Sequence, residues 1–220
     1  MNEFEQVRIK TINSILLKRY AEMSGIKILD IGCGDGHIVA EIKKLLPYSD
    51  IVAIDKSPDA VEFCRSEYKN IRFEQMDACK LTFEKDSFDA IVIANVFEHL
   101  MNLGIVIDNL NACLRPGGIV VVSTPNRFRL QNILRIMAGK SVSISKEHVT
   151  EYTIDQIREI FKFHGLLIEE KVFPRLSYSG KDFSWRLFYH TLTNIANFYL
   201  WLAGSDKNVN PIGFYILKKY

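Results

Sequence analysis

Within LDIGCGDGHIV (residues 29–39), Gly32, Gly34 and Gly36 occupy three of five positions, and Asp30 stands just ahead of them. Glycine loses more backbone entropy on folding than any other residue, so such a cluster after an apolar run serves tight turning or close approach of a ligand. Its backbone can press against that ligand, and amides opening the next helix can receive polar groups. Two more acids close apolar runs: Asp55, 23 positions beyond Gly32, and Asp77. An acid at that distance suits a carboxylate accepting both hydroxyls of a ribose, which points to a nucleoside-containing ligand. Each acid alone could equally be turn chemistry; three on adjacent strand ends favour one bound cofactor. Proton transfer is the second chemistry on offer. His99, in EHL, and His148, in EHVTEY, carry the side chain whose unperturbed pKa lies nearest neutrality. Either could take a hydroxyl proton or be structural, and Glu98 could cap or pair.

The elements that position these residues follow from periodicity. IKILD (26–30), IVAID (51–55), IRFEQMD (71–77), DAIVIAN (89–95) and GIVVVSTPN (118–126) are short, apolar and largely β-branched, as strands buried on both faces are. Helices are predicted over 36–46, 57–68 and 103–114, the second opened by Ser57 as N-cap with Pro58 behind it. This alternation means βαβ units and a parallel sheet. Later, Thr153 and Gln156 fit a capping box for a helix over 152–165. LLIEEKVF (166–173) and GFYILKK (213–219) read as two late strands. Phe4, Val7, Ile12, Ile15, Leu16 and Tyr20 approximate helical spacing, which predicts an N-terminal helical cap over residues 1–24.

The 220 residues fit one domain, with a cofactor-binding core at 25–173 and an aromatic helical insertion at 174–212. A net charge of +2 with interleaved acids and bases leaves no nucleic-acid footprint. Cys33, Cys64, Cys79 and Cys113 have no metal spacing, so no metal site is expected, and they suit buried roles in a reducing cytoplasm. The first residues lack the apolar core of a secretory signal. Residues 182–204 hold both tryptophans, but Arg186, His190, Asn194 and Asn197 interrupt the run. They leave three readings open: a helix over the core or a homodimer contact, an apolar-substrate wall, and peripheral membrane or lipid contact.

These stretches resemble the class I S-adenosylmethionine-dependent methyltransferases over most of residues 25–173. LDIGCGDG is similar to the family's first motif and Asp55 to its ribose-binding acid. MDACKLTFEKDSFDAIVIANVFEHL (76–100) is similar to the stretch through the fourth strand, and LRPGG (114–118) to the turn before the fifth. The resemblance implies an α/β, Rossmann-like, doubly wound seven-stranded sheet, mostly parallel with a reversed last strand and helices on both faces. It implies S-adenosylmethionine as cofactor and S-adenosylhomocysteine as product. Asp30 and the backbone of Gly32, Cys33 and Gly34 would hold the methionine end, within the loop that Gly36 completes. Asp55 would bind the ribose, and Lys56 would flank the adenine. Asp77 would accept from the adenine amino group, Ala78 would offer its amide to the ring, and Asn95 would lie beside the methionine. Thr82 in LTF stands where the family has proline and touches no implied contact. STPNR (123–127) and HVTEYT (148–153) resemble a subgroup acting on small molecules, including quinone-precursor and sugar O-methyltransferases. The expectation is methyl transfer to a small, apolar or lipid-linked acceptor at oxygen, with His99 or His148 as base. Two other readings stand beside it: a non-catalytic S-adenosylmethionine-binding subunit and a nicotinamide-dependent oxidoreductase. Against the latter, His37 occupies the third glycine place of a dinucleotide loop.

Overall fold

Side-chain alternation along two neighbouring strands shows why the sheet is covered on both sides. In β1 (Lys27–Ile31) Ile28 enters one apolar cluster, while Leu29 and Ile31 enter the other. In β4 (Phe88–Ala94) Ala90, Val92 and Ala94 face the first cluster, and Ile91 and Ile93 the second. The period of two sends successive side chains to opposite faces, and apolar residues on both demand two helical layers. The computed structural model describes residues 3–142, 144–174, 183–203, 205 and 208–219. The first layer is α1 (Glu3–Tyr20), α2 (His37–Leu45) and α3 (Pro58–Glu67), which bury Ile12, Leu16, Val39, Ile42 and Val61. The second is α4 (Leu103–Cys113) and α6 (Ile154–Phe163), through Val106, Ile107, Leu110, Ile157 and Phe161.

The remaining strands are β2 (Asp50–Asp55), β3 (Arg72–Gln75), β5 (Leu114–Pro125), β6 (Leu166–Val172) and β7 (Ile212–Lys219). Their order is β3-β2-β1-β4-β5-β7-β6, with β7 antiparallel to both neighbours and the pairings among β1 to β5 parallel. This is the Rossmann-like sheet with a reversed last strand that the resemblance implies. Both helix-start signals hold in detail. Ser57 accepts from the Ala60 amide at 3.3 Å, and Thr153 and Gln156 exchange the two bonds of a capping box. Two features differ from the sequence reading. β5 begins at Leu114 rather than 118, because Leu114 pairs with Phe88 across a register shift ahead of the regular ladder. A helix at Leu130–Met137, α5, was not expected; its N-cap, Arg129, makes no side-chain capping bond, so no start signal marks it.

Between β6 and β7 runs α7 (Phe183–Leu202). Thr193 is buried, whereas Leu187, Phe188, Phe198, Tyr199, Trp201 and Leu202 are exposed. The helix is tied down by Asn197, which accepts from the Val209 amide and donates to Asn210 Oδ1. Residues 175–182, 204 and 206–207 of the predicted insertion lie outside the described residues. No helix among the described residues is long and apolar enough to cross a membrane.

Candidate active site

Strand order reverses between β1 and β4, and in an open parallel sheet the crevice beyond those carboxyl ends is where ligands bind. The glycine loop forms one wall. Gly32, Gly34 and Gly36 take φ of +75°, +53° and +77°, which L side chains rarely adopt. The Gly32 and Cys33 amides donate to Ile54 O at 2.8 and 3.0 Å and extend the sheet. What lies over each glycine differs. A Cβ on Gly32 would come 2.3 Å from Val96 Cγ2, and one on Gly36 would come 2.6 Å from Tyr68. Those two glycines let the loop seat on its own scaffold. A Cβ on Gly34 would meet nothing within 4 Å, so this is the stretch of loop backbone open to a ligand.

The acids at the strand ends divide by whether the protein itself satisfies them. Asp55 accepts the Gly34 amide at 3.0 Å and the Ser57 amide at 2.9 Å, which locks the loop to β2 and leaves further lone pairs on both oxygens. Asp77 caps the short 3-10 turn Ala78–Lys80 by accepting from Cys79 N at 2.8 Å, and Asn109 holds Ala78 O at 3.0 Å. The Lys56 side chain is exposed, and its carbonyl accepts from Gln75. Asp30 is different. Its carboxylate is buried and takes no hydrogen bond from any described residue; burial, reinforced by Asp55, pushes its pKa up to about 7.

Asn95 ends β4 with φ +56°, a conformation asparagine tolerates better than most residues. Its amide donates to Ser123 O at 2.9 Å, and its Oδ1 accepts from Ser123 Oγ at 3.0 Å. Arg8, on α1, escaped the sequence reading. Its Nε is a buried donor without a partner, and the guanidinium makes no ion pair with a described residue. Burial lowers its pKa against the raising influence of Glu98, Glu5 and Asp35, which places it within electrostatic reach of both the glycine loop and the end of β4. The available signal was an arginine in phase with the buried Ile12 and Ile15 of its helix. Among the described residues nothing donates to the Asp30 carboxylate and nothing pairs with the Arg8 guanidinium; the first suits a ligand ammonium and the second a ligand carboxylate.

On the β4–β5 side the structure brings His99 and His148 together, their rings 4.9 Å apart edge to face. His99 is exposed, and its Nδ1 donates to the Glu147 carbonyl at 2.8 Å. His148 lies deeper, between two buried acids. Its Nδ1 is 3.3 Å from Glu151 Oε1 and its Nε2 is 3.9 Å from Glu98 Oε1. Glu98 is fully buried; desolvation raises its pKa, Thr124 Oγ1 donates to its Oε2 at 3.3 Å, and its Oε1 has no hydrogen-bond partner. The Val149 and Thr150 amides donate to the Glu98 carbonyl and bind the His148 segment to the turn after β4. Glu151 and Arg129 also went unnoticed in the sequence, although an acid three residues beyond His148 was the available cue.

Residues 22–171 match a family described as a methyltransferase domain. Malonyl-[acyl-carrier protein] O-methyltransferase of Bacillus cereus is 39% identical over 113 residues, which is 50% of this chain and 42% of that protein. The mitochondrial ubiquinone biosynthesis O-methyltransferase of Rattus norvegicus is 28% identical over 192 residues, or 77% of this chain and 54% of that protein. The chain thus spans about half the length of the curated relatives it matches. Among solved structures, Haemonchus contortus phosphoethanolamine N-methyltransferase 2, in complex with S-adenosyl-L-methionine, superposes with a TM-score of 0.63 at 20% identity, covering 95% of this chain and 52% of that one. At that identity the likeness establishes the fold alone. Taken with the sheet order and the domain-wide match, these findings place the chain in the methyltransferase-domain family, as a class I S-adenosylmethionine-dependent methyltransferase.

Proposed function

We propose that the protein transfers a methyl group from S-adenosylmethionine to an oxygen of a small acceptor that is apolar or lipid-linked. The observation that supports this reading is the open backbone of the glycine loop at Gly34, with Asp30 and Asp55 on the strand ends beside it; an imidazole–carboxylate cluster follows the end of β4. In this reading Asp30 takes the cofactor's ammonium, Arg8 its carboxylate and Asp55 the ribose hydroxyls. Asp77, the Ala78 amide and Lys56 surround the adenine, and Asn95 lies beside the methionine. When bound, S-adenosylmethionine supplies a methyl group already activated as a sulfonium, so alignment and exclusion of water are most of what the protein must add. A hydroxyl acceptor must also lose a proton, and His148 and His99 are the groups at hand. Oxygen as the receiving atom is supported by the O-methyltransferase names of the relatives above. An apolar acceptor is supported by the exposed side chains of α5 and α7. Both helices are pinned to residues 208–211 beside the end of β5, through Leu130 N to Val209 O and through Asn197.

The test begins with calorimetric titration of S-adenosylhomocysteine into the wild type and Asp55→Ala. The expected result is micromolar binding, weakened by about 1–3 kcal/mol in the variant, the scale of leaving buried polar groups unpaired. A folded wild type that does not bind overturns the cofactor assignment. Methyl-labelled cofactor is then incubated with fractionated cell extract. Label in lipid or quinol fractions supports the acceptor class, and label confined to small polar molecules or to protein overturns it.

A further inference from the structure

We infer that Glu151 is a positioning residue for His148. It fixes the imidazole with its proton on Nδ1, so that the Nε2 lone pair, facing Glu98, receives the acceptor's hydroxyl proton. This rests on the O-methyl transfer reading above. Arg129 Nη1 and Nη2 grip Glu151 Oε2 and Oε1 at 2.5 and 3.2 Å, while Arg127 Nη1 donates to the Glu151 carbonyl at 3.1 Å. Two nitrogens of one planar guanidinium on two carboxylate oxygens fix the plane of the acid as well as its place. Glu151 is 1% exposed, so water cannot substitute for these partners. The oxygen nearer His148, Oε1, faces Nδ1 at 3.3 Å. A carboxylate in an ion pair only accepts, so Nδ1 is the protonated nitrogen and Nε2 carries the lone pair.

That lone pair is aimed at a second buried acid. Nε2 and Glu98 Oε1 stand 3.9 Å apart, too far for a direct bond, and Oε1 has no other hydrogen-bond partner. Glu98 Oε1 is itself closed to solvent, so Glu98 acts on the ring through its charge and the acceptor hydroxyl meets Nε2 alone. As the acceptor oxygen bonds to the methyl carbon, the carbon–sulfur bond breaks with its electron pair passing to sulfur. The hydroxyl proton passes to Nε2. The resulting imidazolium lies between Glu151 and Glu98, which stabilise its charge, and it later releases the proton to solvent past His99. Glu151 touches no reacting atom and acts only through the ring.

The experiment is long-range 15N–1H correlation of the imidazole resonances, which distinguishes the two neutral tautomers, with the His148 signals assigned by loss in His148→Asn. Wild-type protein at alkaline pH is expected to show His148 protonated on Nδ1. Glu151→Ala is expected to return the ring toward the mixture of tautomers of free imidazole. Removing one partner of a buried pair can unfold a protein, so the double variant Arg129→Met, Glu151→Leu, which replaces both partners with apolar groups of similar bulk, serves as the second probe. It is expected to lose the Nδ1–H signature and still bind S-adenosylhomocysteine by calorimetry. With a hydroxyl acceptor from the labelled-extract assay, kcat falls by about 10²-fold and KM is kept, the scale of a lost general base. A wild-type ring protonated on Nε2, or a double variant that keeps the wild-type tautomer, overturns the role of Glu151. Failure of the folded wild type to bind S-adenosylhomocysteine instead overturns the methyltransferase reading and leaves the tautomer result standing.

Discussion

Asp30, a carboxylate enclosed at the end of β1 to which no described residue donates, has its pKa held near 7 by desolvation and by Asp55. The unfolded value is 3.8, so between these pH values the native state binds the extra proton, and stability falls as pH rises through that window. Asp30→Asn removes the charge and is expected to raise the melting temperature of ligand-free protein above pH 7. The gain at most approaches about 4 kcal/mol, the free energy equivalent of such a shift. The same substitution is expected to weaken S-adenosylhomocysteine by about tenfold or more, because the ammonium loses its counter-charge. Wild-type affinity should accordingly rise as pH passes upward through about 7, where the ionised carboxylate becomes the prevailing form. Calorimetry on either side of that value checks it, and a variant with undiminished affinity would remove Asp30 from the cofactor site. Asp30 was legible in the sequence as an acid on a strand end. Its lack of any donor was not, because that depends on which side chains the neighbouring strands bring up.

At the scale of the elements, the glycine loop performs two tasks that a sequence motif merges. Gly32 and Gly36 fit the loop to Val96 and Tyr68, and Gly34 leaves its outer surface clear. Gly32→Ala is therefore expected to lower the melting temperature severely through its clash with Val96, and Val96→Ala in the same chain to recover part of the loss. What remains is the left-handed backbone, which costs a side chain about 1–2 kcal/mol. Gly34→Ala meets no neighbour, so it should cost only that strain while obstructing the ligand. Thermal unfolding and calorimetry on the three variants separate the two tasks. The caps at Ser57 and Thr153 were readable because donor and acceptor lie three residues apart in the chain. α5 lacks a capping side chain, so no start signal marks it; the spacing of Leu130, Ile133, Leu134 and Met137 at i, i+3, i+4 and i+7 was the cue the sequence offered.

Across the whole molecule, the reversed strand β7 is secured by a charge as well as by its ladder. Lys219 Nζ donates to Asp86 Oδ1 and to the carbonyls of Asn111 and Leu114, at 2.6, 2.7 and 2.5 Å, joining the chain's last strand to the end of α4 and the start of β5. Lys219→Met keeps the apolar stem and removes the donors. It is expected to cost about 1–3 kcal/mol in urea unfolding with an unchanged m-value; no loss would mean that backbone pairing alone seats β7. The sequence by itself determined the alternation of strands and helices, the helix caps, the tight glycine turn and the acids on three strand ends. Each is specified by a few contiguous residues, through side-chain period, cap chemistry or backbone sterics. Only the tertiary structure decided that Arg8 lies within electrostatic reach of Glu98 and Asp35 and that His148 sits between Glu98 and Glu151. It also decided that Arg129 grips Glu151 and that one glycine of three faces open space. Apart from His148 and Glu151, three positions apart, those relations join residues about 20 to 90 positions apart, and they follow from the order of strands in the sheet and the faces its helices bury, which no local pattern encodes.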